Sequence, residues 1–266
     1  MTRRYRIGRR TYLRTVGAAG VAAGLAGCLG SFGAGQGSNQ ELIPATAPGF
    51  PPFEIKQGGQ LTGFDVDLLE AVVGQTSYTL ADWKEFEFDS LIPALTSGKI
   101  DVIAAAMTIT DQRKQTIAFS DPYYNSNQSI IVRQGEAGQY SQLSDLAGHV
   151  VGAQKGTTGQ GVVQDQLVKP GLIKPDQYKA FDNYVLAVQA LENGDVDAVV
   201  IDQPVGATFA SQRNVEVAFV YQTGEQFGFG LRQDETDATN AINGGIETVK
   251  SDGTYQQLTN KWFGQG

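Results

Sequence analysis

Four polar groups sit where an α/β chain could collect a small charged molecule. Arg113 lies in Thr110-Asp111-Gln112-Arg113-Lys114, near the start of a short predicted helix, where its charge opposes the helix dipole. An anion held between guanidinium and helix reconciles the two, and a guanidinium meets a carboxylate through two parallel hydrogen bonds. An exposed surface arginine fits the spacing equally well. Thr108 follows the apolar run Asp101–Ala106, at the carboxyl end of a predicted parallel strand, where ligands of such sheets gather. Its hydroxyl and N–H, together with the backbone of Ala106, can serve a ligand; the plainer reading is an ordinary loop threonine. Gly156-Thr157-Thr158-Gly159 follows one strand and opens a helix, so its N–H groups can receive an anion or simply make a capped turn. Asp202 ends the apolar strand Ala198–Ile201. Its carboxylate can pair with a cation or cap the helix that begins at Pro204.

Other chemistries are excluded by what is missing. His149 and Cys28 are the only histidine and cysteine among 266 residues. His149 reads as a turn residue, which removes a Ser-His-Asp site, and no Gly-x-Ser-x-Gly elbow is present. A thiol nucleophile, a thiolate metal site and a histidine-rich metal site are excluded as well, so no metal and no cofactor are expected. The glycine-rich turn at 156–159 lacks the phosphate-loop pattern.

The first 28 residues read as an export signal. Gly8-Arg9-Arg10-Thr11-Tyr12-Leu13-Arg14 is a basic stretch whose paired arginines point to the twin-arginine route. A short Ala/Gly-rich stretch, Val16–Leu25, follows and is too short and glycine-rich for a spanning helix. Leu25-Ala26-Gly27-Cys28 then resembles a lipobox, in which Cys28 is lipidated and becomes the mature N-terminus; the alternative is an uncleaved leader that stays as an anchor. The leader holds six of the 20 basic residues and none of the 28 acidic ones. The remainder therefore carries 14 basic against 28 acidic residues, a balance that argues against nucleic-acid binding. With a single cysteine, the exported body has no disulfide and must hold itself together by burial.

Residues 29–40 are Gly/Ser-rich and read as a flexible tether. Beyond them, strands and helices alternate. Strands are expected at Glu41–Thr46, Tyr78–Trp83, Asp101–Ala106, Ser129–Val132, Val150–Ala153, Tyr178–Phe181, Ala198–Ile201, Val215–Val220 and Phe227–Leu231. Helices are expected at Asp65–Val73, Ser90–Thr96, Thr110–Lys114, Gly159–Leu167, Tyr184–Glu192, Pro204–Ser211, Thr236–Lys250 and Tyr255–Trp262. Alternation of this kind predicts α/β architecture with helices covering parallel-rich sheets, in two similar halves with a cleft between them.

Ten phrases in order carry a closer resemblance. They are Phe50-Pro51-Pro52-Phe53-Glu54, Gly63-Phe64-Asp65-Val66-Asp67-Leu68, Phe88-Asp89-Ser90-Leu91-Ile92-Pro93-Ala94-Leu95, Gly98-Lys99-Ile100-Asp101-Val102 and Met107-Thr108-Ile109-Thr110-Asp111-Gln112-Arg113. Further on come Phe119-Ser120-Asp121-Pro122-Tyr123-Tyr124, Gln154-Lys155-Gly156-Thr157-Thr158-Gly159, Gly194-Asp195-Val196-Asp197-Ala198-Val199-Val200-Ile201-Asp202, Asp252-Gly253-Thr254-Tyr255 and Lys261-Trp262-Phe263-Gly264. Together they resemble the family 3 extracellular solute-binding proteins of polar-amino-acid ABC importers, which include glutamine-binding and lysine/arginine/ornithine-binding proteins. The resemblance implies a type II periplasmic-binding-protein fold: lobe one from 40–125 and 226–266, lobe two from 126–225, with crossing strands near Tyr124–Ser129 and Thr223–Phe227. It also implies that Arg113 clamps a ligand carboxylate and that Thr157 and Thr158 supply the lobe-two half of that clamp. Asp202 would meet the ammonium, Phe50 and Phe88 would line the pocket, and Gln154 would touch the ligand side chain. Members that bind basic side chains often carry an acid where this chain has Ala47, so a neutral polar or acidic amino acid is expected. The implied protein is a monomeric lipoprotein on the outer face of the cytoplasmic membrane, serving an ABC permease. The rival readings are a cyclohexadienyl-dehydratase-like enzyme on the same fold, for which no histidine base is at hand, and a sensor ectodomain. A sensor needs a transmembrane segment or fused domain, and neither is evident in these 266 residues.

Overall fold

The computed structural model describes residues 40–264; the export signal, the tether and Cys28 lie outside the described residues. The chain opens with short strands β1 (Gln40–Leu42), β2 (Pro44–Thr46), β3 (Ile55–Gln57) and β4 (Gln60–Thr62). Helix α1 (Phe64–Val73) follows and turns Leu68, Leu69, Val72 and Val73 inward. Strands β5 (Tyr78–Leu80) and β6 (Lys84–Glu85) lead to helix α2 (Phe88–Thr96), strand β7 (Val102–Ile103), the one-turn helix α3 (Asp111–Lys114) and strand β8 (Ala118–Phe119). The chain then crosses on the ten-residue strand β9 (Tyr124–Arg133). Beyond it lie β10 (Val151–Gln154), α4 (Thr158–Val162, continuing as a wider helical turn through Val168), β11 (Tyr178–Phe181), α5 (Tyr184–Asn193), β12 (Ala198–Asp202) and α6 (Gln203–Gln212). The long strand β13 (Val215–Phe227) returns, and β14 (Gly230–Leu231), α7 (Thr236–Ser251) and α8 (Thr254–Phe263) finish the fold.

Two five-stranded mixed sheets result, ordered β6-β2-β7-β14-β8 and β11-β10-β12-β9-β13. In the first, β2 pairs parallel with β6 and β7, while β14 runs antiparallel between β7 and β8. In the second, β10 pairs parallel with β11 and β12, and β9 lies antiparallel between β12 and β13. The two-lobed α/β architecture expected from the alternation is therefore present, with β9 and the end of β13 paired as Tyr124–Phe227, Asn125–Gln226 and Ser126–Glu225 where the chain crosses.

Aromatic packing anchors that crossing. The Phe53 ring lies 5.1 Å from Tyr124, 5.4 Å from Phe227 and 5.3 Å from Phe263, each edge-on. Such pairs add about 0.5–1.5 kcal/mol each beyond their buried area. Both crossing strands thus end on the first lobe's core.

Two expectations are corrected. The strand foreseen at Asp101–Ala106 is regular only over Val102–Ile103; beyond it the backbone turns at Ala106 into the left-handed region (φ 44°). The strand foreseen at Val215–Val220 runs on to Phe227, since its polar second half is held by β9 rather than by burial. Gly63 shows why the Phe50–Glu54 loop stays in place. At φ 145° a Cβ there would stand 2.0 Å from the Phe53 carbonyl oxygen and 2.9 Å from Glu54 Cα. Gly63→Ala is therefore expected to lower thermal stability by roughly 2–4 kcal/mol. Gly58→Ala, with nothing within 4 Å, should cost only the left-handed strain of about 1 kcal/mol. Equal losses in thermal unfolding would contradict the close approach.

Candidate functional site

Arg113 is held by its own helix start. The Thr110 hydroxyl accepts the Arg113 N–H at 3.1 Å and caps α3. The guanidinium then donates through one nitrogen to the Thr108 carbonyl at 2.7 Å, and through the other to the Gly156 carbonyl of the second lobe at 2.9 Å. Its carbon lies 5.3 Å from the centre of the Phe88 ring, within cation–π range. Burial lowers the Arg113 pKa to about 10, against the pull of Asp202 and Glu225. The guanidinium remains charged at neutral pH.

The second lobe closes on it through the turn that opens α4. Gly156 (φ 74°) comes so near Asp89 that a Cβ would stand 2.9 Å from the Asp89 Cβ. The Thr157 hydroxyl accepts the Gln160 N–H at 3.2 Å, capping α4, and donates to the Gln154 carbonyl at 2.8 Å. Thr158 lies 3.4 Å from Thr108, hydroxyl to hydroxyl, across the cleft. Gln128 of β9 is fully buried, and its amide donates to Thr158 at 3.2 Å, to Asp202 at 3.1 Å and to both oxygens of Glu225 at 3.2 Å.

Asp202 ends β12 and makes no capping hydrogen bond to α6, so the capping alternative falls away and its carboxylate is left to the cleft. It is 4 % exposed. Burial and the neighbouring Glu225 hold its carboxyl well above the usual range, with Gln128 and Arg113 opposing them. Ala106 contributes in one way only. Its N–H is taken by Asp65 at 2.6 Å, which leaves its carbonyl as the group a ligand could use.

Phe50 (8 % exposed), Phe88, Gln154 and Thr157 line one small cavity with Ala47, Ala105 and Glu54. Arg113, Phe88, Thr157, Thr158 and Glu225 line a groove of about 640 Å³, which shares Phe88 and Thr157 with that cavity. Thr108 and Asp202 join these residues through Thr158 and Gln128, so the side chains foreseen as a site lie together, while Ala106 is tied through its N–H to Asp65. Sequence reasoning missed Gln128, Glu225, Glu54, Asp65 and Tyr184, whose hydroxyl lies 3.3 Å from that of Thr157. The Glu54 side chain is 1 % exposed, and its Oε2 has no hydrogen-bond partner among the described residues. Burial raises its pKa well above the ordinary value, with Asp65 and Asp202 adding to the effect. The expectation of a neutral polar or acidic ligand rested on Ala47 lacking a carboxylate. Glu54 restores one to the same cavity wall, so that expectation loses its ground. The tail of the signal was in the sequence: a glutamate directly after Pro51-Pro52-Phe53, in an otherwise apolar loop.

Asp65 is the support beneath the site. One of its oxygens accepts both the Ala106 N–H and the Tyr123 hydroxyl, each at 2.6 Å. Burial raises its pKa to about 7, against those two hydrogen bonds. Among the described residues no group of His, Cys, Asp or Glu is arranged to hold a metal ion. His149 stays outside the cleft, 3.4 Å from Asp197, which also accepts the Val150 N–H at 2.9 Å.

Known proteins resemble this chain in sequence and fold. Residues 42–265 match the sequence profile of bacterial extracellular solute-binding proteins, family 3. A probable histidine-binding protein of Campylobacter jejuni is 37% identical over 224 residues, 83% of this chain and 84% of that one. A putative ABC transporter arginine-binding protein 2 of Escherichia coli K12 is 32% identical over 247 residues, covering 90% and 97%. Among solved structures, an ancestral arginine-binding protein bound to arginine superposes with a TM-score of 0.79 at 38% identity, covering 85% of this chain and 99% of that one.

The raised carboxyls of Asp65 and Glu54 have a measurable consequence. Between pH 4 and about 7 the folded protein keeps protons that the unfolded chain gives up, so unfolding free energy falls as pH rises through that window. Asp65→Asn, which keeps an acceptor for Ala106 and Tyr123, should remove part of that fall, on the order of a few kcal/mol between pH 5 and 8. Urea unfolding of both proteins across that range measures it. Parallel profiles would contradict the assignment.

Proposed function

The chain belongs to family 3 of the bacterial extracellular solute-binding proteins, and from that membership we propose that it captures a cationic amino acid by closure of its two lobes and hands it to an ABC importer. Each lobe supplies part of the ligand's neutralisation. On lobe one, Arg113 holds the α-carboxylate and the Phe50 and Phe88 rings flank the side chain. On lobe two, Asp202 takes the α-ammonium, and the Thr157 and Thr158 turn, with Gln154, completes the enclosure. Glu54 stands at the end of the side-chain cavity as the partner of a guanidinium, ammonium or imidazolium. The ligand settles on lobe one first, and its contacts with lobe two exist only in the closed state, which is why it favours closure. The observation that carries this reading is the Arg113 guanidinium bonded to Gly156 of the opposite lobe, with the buried Asp202 in the same cleft.

Relatives named for histidine and arginine support a basic ligand. We propose further that the lobes divide at 125/126 and 225/226, and that the protein works as a monomer. It leaves the cell by the twin-arginine route and is anchored through a lipid on Cys28 to the outer face of the membrane. Binding, rather than turnover, is the proposed activity, in keeping with relatives named as binding proteins.

Thermal-shift measurements against the common amino acids test the reading. Arginine, lysine or histidine should raise the unfolding temperature, by the equivalent of about 2.7 kcal/mol at a hundred times the dissociation constant; glutamate should not. A dissociation constant near ~1 μM corresponds to roughly −8 kcal/mol. In calorimetry, Arg113→Ala should weaken binding by about 3–5 kcal/mol, since it leaves the ligand carboxylate buried without its partner. Glu54→Gln should weaken arginine far more than glutamine. Unchanged arginine binding by Arg113→Ala removes the clamp.

A further inference from the structure

The cleft holds more acceptors than donors beside Asp202. Gln128 offers one amide group to Asp202, Thr158 and both oxygens of Glu225. One NH₂ carries two hydrogens, so at most two of those acceptors are served at a time. The hydroxyls of Thr108 and Thr158 each donate to the same Glu225 oxygen, both at 3.0 Å. The Gln128 carbonyl oxygen is buried and, among the described residues, receives no hydrogen bond.

Glu225 reaches this place through a built deviation in the crossing ribbon. Tyr221 pairs with Gln128 and Glu225 with Ser126, so four steps on β13 span two on β9. The excess is taken up at Gly224 (φ 63°) and pinned by Asn127, whose side-chain oxygen accepts the N–H groups of Thr223 at 3.1 Å and Gly224 at 3.0 Å. A ribbon in regular register would carry no such bulge, and bulges re-aim side chains at functional sites. Here the bulge delivers a carboxylate between Thr108 of one lobe and Thr158 of the other.

Resting on the reading that the cleft takes an amino acid, we propose that Glu225 is a direct ligand of the α-ammonium, forming with Asp202 and Thr108 a three-acceptor cradle. An ammonium carries three N–H donors, which is what this cluster lacks. Two carboxylates also hold a cation more firmly than one, and place the hinge strand itself in contact with the ligand.

Calorimetry with L-arginine and with 5-guanidinopentanoate, the same molecule without its α-amino group, tests this on wild type, Glu225→Gln and Glu225→Asp. Glu225→Gln should lose about 10- to 100-fold in affinity for arginine, the effect of removing one charged hydrogen bond, and less than about 3-fold for the des-amino analogue. Glu225→Asp should show a smaller loss with the same dependence on the amino group, and it serves if the glutamine variant folds poorly. Equal losses for both ligands would make Glu225 a structural strut and overturn the proposal. Unchanged or tighter arginine binding would overturn it too, the latter by showing that Glu225 competes for the ligand's donors. A wild-type protein that binds no amino acid in the panel fails the functional reading and this one together; wild-type binding with an indifferent Glu225→Gln fails this one alone.

Discussion

Buried negative charge without matching positive charge is the constraint on which this molecule turns. Glu54, Asp65 and Asp202 are almost wholly removed from water, and Glu225 adds a fourth carboxylate beside Asp202. Arg113 is the cation beside Asp202 and Glu225. A buried carboxylate must be paired, hydrogen-bonded or protonated. Asp65 accepts two hydrogen bonds on one oxygen and is still raised to about 7 by burial, and burial drives Glu54 and Asp202 toward their protonated forms, with Asp65 and Asp202 adding to the effect at Glu54 and Glu225 at Asp202. On the proposed reading, a cleft in that condition takes the ammonium of an amino acid whose carboxylate meets Arg113, and Glu54 adds a place for a second cationic group.

On the proposed reading, closure of the two lobes completes that complementarity. Phe53, Tyr124, Phe227 and Phe263 fix the ends of both crossing strands to lobe one. Gly156 allows the opposing turn to approach Asp89 and offers its carbonyl to Arg113. Asp65 reaches from α1 to take the Ala106 N–H, holding the backbone in a left-handed turn that a non-glycine residue adopts at a cost of about 1 kcal/mol or more. Support from outside the cleft thus fixes the geometry inside it.

Periodicity made the scaffold readable. The Tyr178–Phe181 strand falls where the pattern puts it, and α1, α5, α6 and α7 fall within one or two residues of it, because each rests on local alternation between a buried and an exposed face. Arg113, Thr108, Thr158 and Asp202 were legible for a related reason: they stand at strand ends and helix starts, where α/β folds present groups to ligands. What stayed hidden depends on register and long-range burial. Glu225 points into the cleft only because two strands slip against each other around Asn127. Glu54 and Asp65 gain a place beside the site only once the loop and helix that bear them are packed. The strand at Asp101–Ala106 was overrun because nothing local announces the turn at Ala106, which is imposed by Asp65, 41 residues earlier.

The proposal that a cationic amino acid is neutralised by the buried carboxyls of this cleft is tested most directly by titrating L-arginine calorimetrically at neutral pH in buffers of different ionisation enthalpy, since carboxyls that burial drives toward their protonated forms give up protons on pairing with it. The account predicts heats that vary linearly with the buffer, with a slope showing net proton release on binding and a smaller slope for Asp202→Asn. Identical heats in every buffer, or proton uptake, would contradict it.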